Sequence, residues 1–156
     1  MELILLPAVP EHLRAVLHWI NSAEELRLWG GPLLTFPPDV GKTWREIGAE
    51  DGNTFVLLDA AGSVAGFGQV LAHGSGVSHL GRIIVSPALR GQGVGRLLCE
   101  QLIAAALERH HPERITLNVY KSNTSAVELY RSLGFVVTAE DEQRASCAMS
   151  LRVVPR

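Results

Sequence analysis

Two spacings of apolar residues organise the chain. Leu13, Val16, Leu17 and Ile20 recur three and four apart, as one face of a helix does, while Ile115, Leu117 and Val119 alternate like one face of a strand. Leu3 to Leu6 reads as a first strand ending at Pro7, followed by helices over Glu11 to Asn21 and about Ala23 to Trp29. Pro10 sits where a helix can begin, because a missing N–H at the first helical position has no partner to lose. Trp29-Gly30-Gly31-Pro32 breaks the second helix, Phe36-Pro37-Pro38 adds a stiff turn, and a short third helix runs from Val40 to Glu50. Thr54 to Asp59 and Ser63 to Ala72 form a hairpin around Ala60-Ala61-Gly62, and Val77 to Val85 continues the sheet after His73-Gly74-Ser75-Gly76.

Residues 79–95, HLGRIIVSPALRGQGVG, pass from a β-branched strand through a Pro-containing turn into Arg90-Gly91-Gln92-Gly93-Val94-Gly95, then directly into the helix-forming stretch RLLCEQLIAAALERHH. Beyond the strand at Ile115, Asn123 or Ser122 can cap a further helix whose Ala126, Leu129, Tyr130 and Leu133 share one side, which turns Tyr130 inward. Gly134 suits a left-handed C-terminal cap. Val136 to Ala139 and Ser146 to Val153 are the closing strands around the polar turn Glu140 to Arg144. The predicted order is β-α-α-α-β-β-β-α-β-α-β-β, an α/β fold with a mixed, largely antiparallel central sheet flanked by helices. The helical crossover from Val85 to Ile115 requires the adjoining strands to run parallel. No repeat, charge block or linker divides residues 1–156, so one domain is expected.

The glycine turn has the chemistry of an anion cradle. Glycine lets backbone approach a ligand without a Cβ in the way, and the first amides of a helix lack intrahelical acceptors and sit at the positive end of its dipole. Phosphate or pyrophosphate is the natural ligand of such a junction, although glycine alone is equally consistent with a purely structural turn. A dinucleotide fingerprint would need Gly-x-Gly-x-x-Gly, and a Walker loop would end in Gly-Lys-Ser/Thr. Here Gly91, Gly93 and Gly95 alternate, no Lys-Ser/Thr follows, and Arg90 opens the turn.

The order strand, Pro, Arg-x-x-Gly-x-Gly, long amphipathic helix resembles the acyl-CoA-binding motif of the GNAT superfamily of N-acyltransferases. The resemblance implies that Arg90 and Gln92 to Gly95, Val94 included, supply amides to the CoA pyrophosphate, with Gly91 and Arg96 beside them. Ile83, Ile84 and Val85 match the strand whose backbone runs along the pantetheine arm. In that family the two parallel strands splay apart and the thioester lies in the gap. A second match runs from Leu117 to Phe135 and looks like the family's strand-Asn-helix-Leu-Tyr-x-x-x-Gly-Phe ending. It implies that Asn123 hydrogen-bonds the CoA arm besides any capping role, and that Tyr130 sits near the CoA sulfur and protonates the departing thiolate. From spacing alone Tyr130 is equally a core aromatic with its hydroxyl at the surface.

The activity implied is transfer of an acetyl group from acetyl-CoA to a primary amine by direct attack on the thioester. The oxyanion then needs a preorganised donor, for which a backbone N–H near Val85 is the family-like candidate. The thiolate needs a positioned acid, and the amine must lose a proton. Some relatives, including ribosomal-protein-alanine acetyltransferases, carry a Glu roughly where Asn118 stands. Asn118 is no base, but it can orient a water or hold a substrate group. His79, His73 and Glu142 are base candidates in falling order, with a surface histidine the ordinary explanation of the first. His110 and His111 are explained by the end of the long helix. Trp29 and Phe36 either line an acceptor pocket or pack beneath the first helices.

Composition narrows the classes further. A net charge of −2 provides no basic field for nucleic acid, and no apolar run is long enough to span a bilayer. The N-terminus lacks the pattern of a signal peptide, and Cys99 and Cys147 suggest neither a disulfide framework nor a metal site, so the cytoplasm is the expected compartment. Cys99 reads as a small buried hydrophobe. The acceptor is an amine of a small molecule or protein, and similar proteins are commonly homodimers. The alternative to an enzyme is a noncatalytic acyl-CoA-binding or sensing module that kept the cradle without an effective base.

Overall fold

The computed structural model describes residues 2–154 and follows the predicted element order. Seven strands, β1 (Leu3–Pro7), β2 (Thr54–Asp59), β3 (Val64–Ala72), β4 (Val77–Val85), β5 (Arg114–Tyr120), β6 (Val136–Asp141) and β7 (Ser146–Arg152), form one sheet in the order β1-β2-β3-β4-β5-β7-β6. Five helices accompany them: α1 (Pro10–His18), α2 (Ala23–Gly30), α3 (Val40–Glu46), α4 (Val94–His110) and α5 (Thr124–Ser132). The β4–β5 pair is parallel, as the α4 crossover demands. Its register runs from Val77↔Arg114 to Leu80↔Leu117, whereas β4 continues to Val85 and β5 to Tyr120. By compactness the chain forms two units, residues up to Gln69 with Arg82–Cys99, and Val70–Gly81 with residues from Glu100 on.

In the first unit, local chemistry sets the helix starts. Pro10 opens α1, Ser22 Oγ accepts from the Glu25 amide at 3.1 Å to start α2, and Asp39 Oδ2 accepts from the Lys42 amide at 3.0 Å to start α3. The third helix is shorter than the expected Val40 to Glu50. It stops at Glu46 because Gly48 adopts φ 70, after which Ala49–Asp51 makes a single 3-10 turn. Leu13, Val16, Ile20, Leu26, Ile47, Ala49 and Phe67 form the core of this unit, with Trp29, Trp44 and Ile84 packed against it. Strand β2 pairs antiparallel with β1 from Leu3↔Asp59 to Pro7↔Phe55, and with β3 from Thr54↔Gln69 to Leu58↔Val64.

In the second unit, β5 pairs antiparallel with β7 from Arg114↔Arg152 to Tyr120↔Ser146, and β7 with β6. Ile115, Leu117 and Val119 are all buried, as their alternation predicts. Helix α5 ends at Ser132, and Gly134 at φ 104 provides the left-handed turn expected of it.

Candidate active site

The glycine turn is exposed backbone held open by two left-handed residues. Gly91 has φ 76 and Gly93 φ 83, and no atom lies within 4 Å of a Cβ built on either. Conformation, not crowding, therefore calls for glycine at both places. Gly95 is the second residue of α4, so the three alternating glycines divide into two that bend the chain and one that begins the helix. The first helix-type bond runs from the Leu97 amide to the Gly93 carbonyl at 3.2 Å, which leaves the amides of Val94 and Gly95 ahead of the intrahelical ladder. Gln92 folds back, its Nε2 donating to the Ala88 carbonyl at 3.2 Å, so it steadies the preceding turn. Arg90, Gly91, Gln92, Gly93 and Arg96 are exposed and Val94 is buried.

Strand β4 carries Ile83, Ile84 and Val85 into this turn, all half-buried. Directly before them Arg82 adopts φ 47, left-handed backbone that costs a non-glycine residue roughly 1–2 kcal/mol. Three contacts hold it. Arg82 Nη1 donates to Gln69 Oε1 at 2.8 Å, Nε donates to the Gly30 carbonyl at 3.1 Å, and the Arg82 carbonyl accepts from Trp29 Nε1 at 2.9 Å. Gln69 is 0% exposed, and its amide orientation is fixed by its neighbours. The Thr54 hydroxyl donates to Asn53 Oδ1 at 2.8 Å, so it accepts from Gln69 Nε2, 3.0 Å away, while the same Nε2 faces the Ile47 carbonyl at 2.9 Å. Only Oε1 remains to receive the guanidinium. These acceptors are all neutral, and partial burial without a carboxylate lowers the pKa of Arg82 from its ordinary value.

The second unit holds the remaining candidates. Tyr130 is 8% exposed, and its ring meets Phe135 edge-on with centroids 6.0 Å apart. Asn123 caps α5, its Oδ1 accepting from the Ala126 amide at 3.3 Å, so the capping role is real and its amide NH₂ is not engaged by that bond. Asn118 is exposed on β5. His79 Nδ1 lies 2.7 Å from Thr116 Oγ1, and its ring centroid is 5.2 Å from that of His73. Glu142 is exposed in the β6–β7 turn. His110 Nδ1 lies 2.6 Å from the hydroxyl of fully buried Ser78, a contact sufficient to explain it.

The two aromatic acceptor candidates differ. Trp29 packs on the first core, 6.0 Å from the Phe67 ring, with its indole N–H committed to Arg82. Phe36 is 46% exposed. Packing beneath the helices thus accounts for Trp29, while Phe36 presents an open ring. Arg82 and Gln69 went unnoticed in the sequence because neither residue type signals a left-handed strand position. Among the described residues, no helix is long and apolar enough to cross a membrane, and no group of three His, Cys, Asp or Glu is placed to hold a metal ion.

The chain belongs to the acetyltransferase (GNAT) family, whose model matches residues 14–135. It is 35% identical to a streptothricin acetyltransferase of Streptomyces lavendulae over 116 residues, covering 70% of this chain and 60% of that protein. It is 36% identical to the peptidyl-lysine N-acetyltransferase YjaB of Salmonella typhimurium over 64 residues, 41% of this chain and 40% of the relative. The match thus spans 40% to 60% of the length of these relatives. In fold, the chain matches spermidine N-acetyltransferase from Vibrio cholerae, solved with CoA and spermine, with TM-score 0.77 and 20% identity over 96% of this chain and 95% of that one.

Proposed function

We propose that this chain transfers an acetyl group from acetyl-CoA to a primary amine of a small molecule or protein. The observation that carries the reading is the Gly91/Gly93 turn opening α4, within a chain of the GNAT family. The turn takes the pyrophosphate on the backbone amides of Arg90 and Gln92 to Gly95, with Gly91 and Arg96 beside them. Ile83, Ile84 and Val85 hold the pantetheine arm by backbone bonds, and an amide near Val85 faces the oxyanion that forms when the amine attacks the thioester. Asn123 contributes its amide NH₂ to the same arm.

Tyr130 serves as the acid for the thiolate. A phenol ordinarily titrates near 10 and a thiol near 8.5, so a short hydrogen bond suffices and full transfer is not required. For the amine proton the candidate bases are His79, His73 and Glu142 in falling order, and His79 Nδ1 lies 2.7 Å from Thr116 Oγ1. Asn118 and Phe36 belong to the acceptor side, while Trp29 serves the packing of the first core. The cytoplasm is the compartment that supplies acetyl-CoA, no nucleic acid or membrane takes part, and a homodimer is one possible assembly.

Incubation with acetyl-CoA and a panel of streptothricin, polyamine, amino-acid and lysine-peptide acceptors, followed by thiol release, tests this reading. Release with at least one acceptor is the expected result. Measurable CoA binding with no release from any acceptor would instead make the chain a noncatalytic acyl-CoA sensor.

A further inference from the structure

We propose that Arg82 is a positioning residue for acyl transfer: its side chain, tied to Gln69 Oε1 and the Gly30 carbonyl, fixes the left-handed bend that aims the amides of Ile83, Ile84 and Val85. The functional consequence rests on the acyl-transfer reading above; the bend and its ties do not.

A strand residue at φ 47 turns the amides that follow it away from the direction a regular strand would give them. Such a conformation persists where surrounding structure over-determines it, and strain of this kind gathers at ligand-holding segments. Here the determination comes from both sides of the residue. Trp29 Nε1 grips the Arg82 carbonyl, and the guanidinium reaches Gln69, itself locked by Thr54 and the Ile47 carbonyl. The donors run in one direction, from Arg82 to Gln69, Gln69 to Thr54 and Thr54 to Asn53, and Asn53 Nδ2 ends the series on the Gly48 carbonyl at 3.2 Å. Arginine suits the post because two of its N–H groups diverge in a rigid plane to reach two acceptors at once, which a lysine ammonium on a flexible stem does less well. With no carboxylate in its hydrogen bonds, the guanidinium is committed to neutral backbone and amide oxygens.

The test is an amide NMR titration of the full chain with acetyl-CoA, in the native protein and in Arg82→Met, with turnover measured on the acceptor found above. In the native protein, amides 83–85 and those of Gly91, Gly93 and Gly95 should all shift. In Arg82→Met the glycine amides should still shift with similar acetyl-CoA affinity, the responses at 83–85 should collapse, and kcat should fall by about tenfold or more. Arg82→Lys should recover part of that loss. Native-like responses at 83–85 in Arg82→Met, or a kcat loss matched by an equal loss of acetyl-CoA affinity, would overturn the positioning role. Should Arg82→Met fail to fold, Arg82→Lys carries the same comparison, and failure of both to fold also overturns it by making the contact a requirement of the fold. Absence of any shift in the native protein strikes at the acetyl-CoA reading instead, so the two failures are distinguishable.

Discussion

The Ile83–Val85 segment lies between two left-handed bends made from opposite materials. On one side Gly91 and Gly93 reach φ 76 and 83 with open space where a Cβ would stand, and their shape needs no support from neighbours. On the other side Arg82 reaches φ 47 despite its Cβ, because Gln69, Gly30 and Trp29 hold it there. A glycine bend is set by local conformational freedom, so it survives changes elsewhere in the unit. An arginine bend is set by tertiary contacts, so it is only as firm as the core that supplies them. One bend is suited to receiving a ligand's phosphates, and the other to passing the packing of α2, β2 and β3 on to the backbone of β4.

Gly93→Asp should have the largest effect. The new Cβ meets nothing, so the change acts through left-handed strain, which Asp tolerates better than most residues, and through a carboxylate set against the pyrophosphate. Calorimetry should show CoA affinity falling by about a hundredfold, or roughly 2.7 kcal/mol, in a folded protein. Unaltered affinity would defeat the cradle. Tyr130→Phe comes next: if the hydroxyl is the proposed acid, kcat should drop by about tenfold or more with little change in acetyl-CoA affinity. Because the ring stays packed on Phe135, a variant with native turnover would remove Tyr130 from the acid role.

The two bends also explain how much could be read beforehand. Gly91 and Gly93 are conspicuous because residue type and conformation coincide, and the strand, turn and helix around them were legible for the same local reason. Tyr130 and Asn123 were placed by helical spacing and capping preference, and the structure buries the one and caps α5 with the other. The expected end of α3 at Glu50 runs past Gly48, whose φ of 70 stops the helix at Glu46. Trp29 was ambiguous because its spacing fits either a wall or a core, and only the packing against Phe67 and the bond to Arg82 show which surface it serves. Arg82 was invisible, since its conformation depends on Gln69, thirteen positions away and itself oriented by residues on β2.

A smaller effect separates strain from anchoring within the second bend. Arg82→Ala and Arg82→Gly both delete the guanidinium contacts, but only alanine keeps a Cβ at φ 47. Because the guanidinium ties hold the bend, alanine should relax out of the left-handed region once they are gone, so Arg82→Gly should gain nothing from escaping the strain and should be the less stable of the two in urea unfolding by about 0.5–1 kcal/mol, the entropy glycine gives up on folding. Arg82→Gly the more stable of the two would instead mean that the bend persists without the guanidinium, held by the Trp29 bond to the Arg82 carbonyl.

The smallest expected effect concerns a third way of holding backbone, by an exposed carboxylate. The loop that carries Phe36 is tied to α3 through Glu46, whose Oε2 accepts from the Thr35 hydroxyl at 2.7 Å and whose Oε1 accepts from the Thr35 amide at 3.2 Å. The side-chain bond from Thr35, followed by its backbone bond, holds the Glu46 carboxyl below its ordinary value of 4.5. A folded pKa below the unfolded one means that the stabilisation is complete above about 4.5 and fades as pH falls through the lower folded value. Glu46→Gln should therefore match the native protein more closely as pH falls well below 4.5 than at pH 7, where the native chain gains slightly from the charged form. Solvent screening at this exposed site keeps the gain small, so amide exchange at Thr35, more than global unfolding, is the measurement that resolves it. Faster exchange at Thr35 in Glu46→Gln at pH 7, converging with the native protein in acid, is expected. A difference independent of pH would assign the tie to the shape of the side chain and not to its charge.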